Sequence, residues 1–183
     1  MKKFKCLSQK IIHSNPYIDY IDDEYIMPNG EHGHYYYMRS KNSVLVIPQL
    51  TEDRFIMIRQ FRYIPQRWCL EFPGGAQKQG KKIITTAYEE LLEETGYKAD
   101  KLEHIGRFSP CIGLIDEMCE IFIATDLTLS VATPEDSEEI EIVEMTSNEI
   151  NKTIKNGELW SGMTQAAWLQ YRMSLNEMEK VNS

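Results

Sequence analysis

Apolar and aromatic residues fall in strand-sized runs separated by polar turns over most of the chain. Ile11-Ile12, Tyr17 to Ile21 and Tyr25-Ile26-Met27 predict short strands near the start. Pro28-Asn29-Gly30 is a turn signal, and Gly33 to Met38 follows as a run of β-formers. Ser43–Pro48 and Phe55–Phe61 predict a hairpin around the polar turn Thr51-Glu52-Asp53-Arg54, with Trp68–Phe72 as the next strand. The period then changes. Ile84, Ala87 and Leu91 recur at i, i+3 and i+7, the inward stripe of a helix that Gly96 closes. Leu102–Phe108, Met118–Ala124 and Ile140–Met145 predict further strands, with an acidic loop over Thr133–Glu139. Ser147–Asn156 predicts a short helix. Thr146 is its N-cap, Glu149 completes a capping box, and Gly157 ends it. Thr164 to Leu175 or beyond predicts an apolar helix, and the tail from 177 to 183 is polar enough to fray.

Strands and helices interleave without regular βαβ spacing, which predicts an α/β fold with a mixed sheet covered by helices on two faces. The 183 residues suit one domain with a proper core. Within it the expected parts are an N-terminal β region (1–41), a core (42–176) and the tail (177–183). No internal repeat or interdomain linker breaks the pattern.

Charge narrows the partners. The net charge of −8 argues against a binder of nucleic-acid polymers, which would be basic. A small nucleotide stays allowed, because a metal ion can neutralise phosphate locally. Cys6, Cys69, Cys111 and Cys119 form no CxxC and are too few for a disulfide scaffold, so free thiols are expected. The basic start lacks the apolar stretch of a signal peptide, and no run approaches the length of a membrane span. A cytoplasmic location without membrane contact is the expectation. His32 and His34 alternate along one strand but lack the third ligand of a zinc-type site.

The chemistry concentrates between Leu70 and Tyr97. An apolar run ends at Pro73-Gly74-Gly75, a polar loop follows, and the helix carries Glu89, Glu90, Glu93 and Glu94. Residues three and four apart share a helix face, so Glu90, Glu93 and Glu94 point the same way. Like charges at that spacing repel, and a hard divalent cation with oxygen ligands would offset the repulsion. An acidic helix face alone is ordinarily just solvated. The glycine turn before it changes that balance, because it lets backbone approach a ligand closely.

This stretch resembles the Nudix box, G-x5-E-x7-R-E-U-x-E-E-x-G-U, with U aliphatic or aromatic. Gly75 takes the first glycine, and Glu90-Leu91-Leu92-Glu93-Glu94-Thr95-Gly96-Tyr97 matches the end in register. Lys81 stands at the glutamate position and Glu89 at the arginine position, so both charges are inverted. A swapped Lys81–Glu89 ion pair is the expected consequence. Arg59-Gln60-Phe61-Arg62-Tyr63, Leu70-Glu71-Phe72-Pro73, Ser109-Pro110 with Asp116-Glu117, and the closing Asn156 to Ala167 stretch are similar to the ADP-ribose pyrophosphatase branch of that family.

The resemblance implies a Nudix-type α/β/α sandwich and Mg²⁺-dependent hydrolysis of a nucleoside diphosphate linked to a further group, with ADP-ribose foremost. Mn²⁺ is a possible substitute. It implies metal ligation by Glu90, Glu93, Glu94 and the carbonyl of Gly74. It also implies a further carboxylate from the acidic loop, Glu138, with Asp136 and Glu139 as alternatives. Catalytic roles fall on Glu93, Glu94 and Glu138, and substrate contacts on Arg59, Arg62, Gly75 and Glu117. In that branch the N-terminal β region helps to form a homodimer. Alternatives are another nucleotide-sugar or dinucleotide as substrate, or a nucleotide-binding protein that has lost turnover.

Overall fold

The computed structural model describes residues 4–130 and 139–181. The chain divides into two compact units, Met1–Asn42 with Ser109–Met118, and Ser43–Phe108 with Cys119–Ser183.

The first unit is a four-stranded mixed sheet, built from β1 (Lys5–Ser14), β2 (Ile18–Ile26), β3 (His32–Ser40) and β8 (Ile115–Asp116). Here β1, β2 and β3 are antiparallel neighbours, and β8 runs parallel to β3. These strands are longer than the short pieces the apolar runs predict. Asp22 and Glu24 interrupt the apolar pattern but stay in the ladder, because His34 Nδ1 lies 2.7 Å from Asp22 and His32 Nδ1 lies 3.1 Å from Glu24. Both histidines therefore serve cross-strand pairs. Tyr35 donates its hydroxyl to the Gly113 carbonyl at 2.8 Å, which ties β3 to the segment before β8.

The second unit carries a six-stranded mixed sheet in the order β10-β5-β4-β9-β7, with β6 paired to β5 off that path. Its strands are β4 (Ser43–Thr51), β5 (Arg54–Arg62), β6 (Arg67–Glu71), β7 (Tyr97–Phe108), β9 (Cys119–Leu129) and β10 (Ile140–Thr146). Its helices are α1 (Ile83–Thr95), α2 (Ser147–Lys155) and α3 (Gly162–Val181), the last continuing into the segment expected to fray. Among the described residues only β4 and β9 pair in parallel in this sheet.

Period-2 alternation on the two central strands sorts side chains to opposite faces. Val44, Val46, Phe122 and Ala124 pack with Ala87 and Leu91 of α1. Leu45, Ile47, Ile121 and Ile123 pack with Ile150 of α2 and Ala167, Trp168 and Tyr171 of α3. The sheet is thus sandwiched between α1 and the α2/α3 pair. Phe55 meets Trp168 and Tyr171 edge-on, with ring centroids 5.1 and 5.3 Å apart. The Trp168 indole donates to Asn151 at 2.8 Å, so α3 is joined to α2 by a polar bond at the edge of the apolar layer. Each large side chain fully buried here contributes about 1.5–3 kcal/mol. Among the described residues no helix is long and apolar enough to cross a membrane.

Candidate active site

The helix α1 is held against the sheet by Ile83, Ala87 and Leu91, with Thr86 and Thr95 also buried. Ile84, expected inside, is 37% exposed. The inward stripe is spaced by four residues, and one position of register separates it from the sequence expectation. Gly96 takes the left-handed conformation at φ 73° and its N–H returns to the Leu92 carbonyl, which ends the helix where the sequence predicts.

The segment before α1 behaves as a neighbour strand to β4. Val46 N–H donates to the Pro73 carbonyl and Val44 N–H to the Gly75 carbonyl, both at 2.9 Å. A Cβ on Gly74 would lie 2.1 Å from the Val44 carbonyl oxygen, and one on Gly75 would lie 2.7 Å from the Glu90 carboxyl. Both glycines therefore allow a close approach, one to the sheet and one to the helix. Gly74 N–H donates to Glu94 Oε2 at 2.8 Å. In extended backbone the N–H and C=O of one residue point to the same side, so the Gly74 carbonyl also turns toward α1.

Three glutamates of α1 surround one ammonium. Lys78 Nζ lies 2.6 Å from Glu93, 3.5 Å from Glu90 and 3.7 Å from Glu89. Lys81 Nζ lies 2.6 Å from Glu89 Oε1, so the swapped ion pair expected from the sequence is formed. The other oxygen of Glu89 is buried and has no hydrogen-bond partner among the described residues. The Lys81 bond, against burial, holds the Glu89 carboxyl below the usual range, with Lys78 adding to the effect. Burial works against the Lys78 charge, but the bond to Glu93 and the fields of Glu90, Glu93 and Glu89 outweigh it and hold the ammonium above the ordinary lysine value. The loop itself is pinned to the helix, since Lys78 N–H donates to Thr86 Oγ1 at 3.2 Å and the Gln77 amide to the Lys81 carbonyl at 2.9 Å.

Sequence reasoning missed Lys78. Lys78 is one of three lysines, with Lys81 and Lys82, between the glycine turn and the acidic helix, and that cationic loop is the signal that could have found it. Glu94, 5% exposed, faces Gly74 and is not in the Lys78 group. In this arrangement no three acidic, His or Cys side chains among the described residues form a ready cation cage. The donor set nonetheless fits a hard divalent cation. It consists of carboxylate oxygens that already converge on a positive charge, beside a glycine segment that admits them without a side chain in the way.

Other predicted residues lie as follows. Arg62 makes a two-pronged bond to Glu71, with Nε to Oε1 at 2.9 Å and Nη2 to Oε2 at 2.5 Å. That bond raises the Arg62 pKa despite partial burial, and the field of Glu94 also reaches it. Arg62 therefore stands at the margin of the carboxylates. Arg59 is exposed and bonds Glu141 across the sheet at 3.3 Å. Burial, then the bond to Glu71, pushes the Cys69 thiol up to about 12, which keeps it unreactive at neutral pH. Glu117 belongs to the first unit, where Ser40 Oγ donates to it at 3.3 Å. Glu138 and Asp136 lie outside the described residues, and Glu139 is exposed.

Comparison with known proteins gives the family. The family model for the NUDIX domain matches residues 39–163. An ADP-ribose pyrophosphatase of Bacillus subtilis (strain 168) is 31% identical over 169 residues, covering 91% of each chain. A methanol dehydrogenase activator of Bacillus methanolicus is 28% identical over 151 residues, covering 81% of each. A crystal structure of an ADP compounds hydrolase superposes with a TM-score of 0.86 over 97% of each chain at 20% identity, a likeness of fold.

Proposed function

The chain belongs to the NUDIX domain family and is a Nudix hydrolase, and from that premise we propose that it hydrolyses the diphosphate of ADP-ribose to AMP and ribose 5-phosphate with the help of Mg²⁺. The observation that carries the reading is the convergence of Glu89, Glu90 and Glu93 on a single positive charge beside the Pro73-Gly74-Gly75 segment. The similarity to a protein described as an ADP-ribose pyrophosphatase supports the choice of substrate.

Glu90, Glu93 and Glu94, with the Gly74 carbonyl, would hold the cation. Bound Mg²⁺ supplies charge neutralisation to the diphosphate and a lowered pKa to a water molecule; Mn²⁺ shares its preference for oxygen. The chain's own part is positioning. The Gly74 N–H fixes one oxygen of Glu94, so that carboxylate needs no reordering during the reaction. The bond to Glu71 occupies Nε and Nη2 of Arg62, so a phosphate would meet the Nη1 side of the guanidinium. Arg59 and Gly75 complete the proposed substrate contacts within this unit. Glu138, on the acidic loop, is assigned the proton from the attacking water, a task for a carboxylate within hydrogen-bond reach.

A cytoplasmic homodimer that acts on a small nucleotide completes the reading. The exposed Ile11, Ile12, Tyr20 and Tyr36 of the first sheet support self-association.

The test is AMP release from ADP-ribose with Mg²⁺, with Mn²⁺ and with chelator, alongside the Glu93→Gln, Glu94→Gln double variant. Release should vanish with chelator and fall by about 10²-fold or more in the variant. No release from wild type, but release from another nucleotide-sugar or a dinucleotide, would move the substrate and keep the class. A second reading, a nucleotide binder without turnover, is favoured by the lysine lodged among the carboxylates. Ligand binding with no hydrolysis across the substrate panel would select it.

A further inference from the structure

Lys78 is not part of the sequence pattern that marks the site, yet its ammonium sits where the carboxylates of α1 converge. We propose that Lys78 is a tethered counter-cation which occupies the acidic cluster in the cation-free protein and must withdraw when a divalent ion binds. Metal loading is then an exchange of one positive charge for another. This rests on the divalent-cation reading above.

The argument is one of space and charge. The 2.6 Å bond from Lys78 Nζ to Glu93 Oε2 occupies one of the two oxygens through which Glu93 could hold a cation, and the same ammonium lies 3.5 Å from Glu90. A Mg²⁺ ion sits about 2.0–2.1 Å from its oxygens. An ammonium on that oxygen and an ion on the same oxygen would be like charges a few ångströms apart, repelling strongly where solvent is scarce. They compete for one place.

The fold provides for the withdrawal. Lys78 is anchored by its backbone N–H on Thr86, so the loop keeps its position while the side chain moves. The side chain is 30% exposed, which leaves a path to solvent. Nearby Gly80 takes a positive φ of 75° and a Cβ there would meet nothing, so open space lies beside the loop tip. Lys81 stays on Glu89 Oε1 and needs no rearrangement.

The exchange has two consequences. Without metal, the lysine offsets repulsion among Glu89, Glu90 and Glu93 and keeps the cluster assembled. With metal, the apparent affinity is lowered by the fraction of protein in which the lysine holds the place. Lys78 thereby sets the cation concentration at which the site loads.

The experiment compares wild type with Lys78→Met, which keeps the length of the side chain and removes the charge, and Lys78→Arg, which keeps the charge. Melting is followed in chelator, and MgCl₂ binding by titration calorimetry. Lys78→Met should melt about 2–4 °C lower in chelator and bind Mg²⁺ about fivefold more tightly. Lys78→Arg should stay near wild type on both readouts. Wild type that binds Mg²⁺, with Lys78→Met binding no tighter, overturns the exchange alone. Unchanged melting of Lys78→Met in chelator also overturns it, since the lysine would then not be holding the cluster. Absence of Mg²⁺ binding in every variant overturns the divalent-cation reading itself, and the exchange with it.

Discussion

Two adjacent glycines carry different burdens, and substitution separates them. On Gly74 an added methyl would meet the Val44 carbonyl at 2.1 Å, a backbone atom of a central strand. On Gly75 it would meet the end of the Glu90 side chain at 2.7 Å, which can turn aside. Gly74→Ala should therefore cost about 2–4 kcal/mol in denaturant unfolding. Gly75→Ala should unfold within about 1 kcal/mol of wild type, yet lose activity by about tenfold or more because Glu90 is displaced. Equal stability of both variants would remove the distinction. At this scale the sequence was legible where spacing fixes position. Glu90, Glu93 and Glu94 follow from helical geometry, and the Lys81–Glu89 pair from the doubly inverted charges. Lys78 was not legible, because no periodicity places side chains in a nine-residue crossing such as Gly74 to Lys82. The bond from its own N–H to Thr86 holds the loop, and the ammonium is placed by Glu89, Glu90 and Glu93, which lie far from it along the chain.

Among the elements, α2 is the one whose first end was fully readable; at its other end the helix stops at Lys155, with Asn156, predicted as its last residue, serving as the C-cap. Thr146 Oγ1 accepts from Glu149 N–H at 3.3 Å, and Thr146 N–H donates to the Glu149 carboxylate at 2.8 Å. Loss of the hydroxyl in Thr146→Ala should cost about 1 kcal/mol. The Thr146 N–H foremost, then its hydroxyl, hold the Glu149 carboxyl below the ordinary glutamate value against burial. A carboxyl depressed in the folded state stabilises the protein above its unfolded pKa and stops doing so as pH falls through the folded value. The melting difference between wild type and Glu149→Gln should thus be full at neutral pH and fade on acidification below the ordinary glutamate range. A difference that does not change with pH would show that the capping carboxylate is not the titrating group. The strands β1 to β3 were underread for a related reason. Asp22 and Glu24 look like breaks in an apolar pattern, but cross-strand histidines satisfy them, and pairing between strands is invisible along a single one. Two-residue β8 is too short for any periodicity to show. On α1, the choice between Ile83 and Ile84 as the inward residue turns on the angle at which the helix meets the sheet, which local spacing leaves open.

For the whole chain, the mixed sheet between helices was legible from the interleaving of elements, whereas the place of Ser109–Met118 was not. The first unit draws Ser109–Met118 from a place far along the sequence, and nothing in the composition of that stretch assigns it to the N-terminal strands. In the second unit, β4 is paired along one side with β9, and on the other side with β5 only near Gln49 to Thr51. The Pro73 and Gly75 carbonyls take the amides of Val46 and Val44 in between. Those two amides are thus spent on the segment that carries the site and not on another strand. Deuterium uptake at Val44 and Val46 becomes a readout of that segment, because each amide can exchange only when its bond to Gly75 or Pro73 opens. Cation loading that steadies Gly74 should slow uptake at both positions, while Val143 on β10, distant in the strand order, keeps its rate. Equal uptake with and without Mg²⁺ would show that the segment is already fixed before the ion arrives. Two backbone protons in the middle of a sheet would then report on a cluster of carboxylates without a label on any of them.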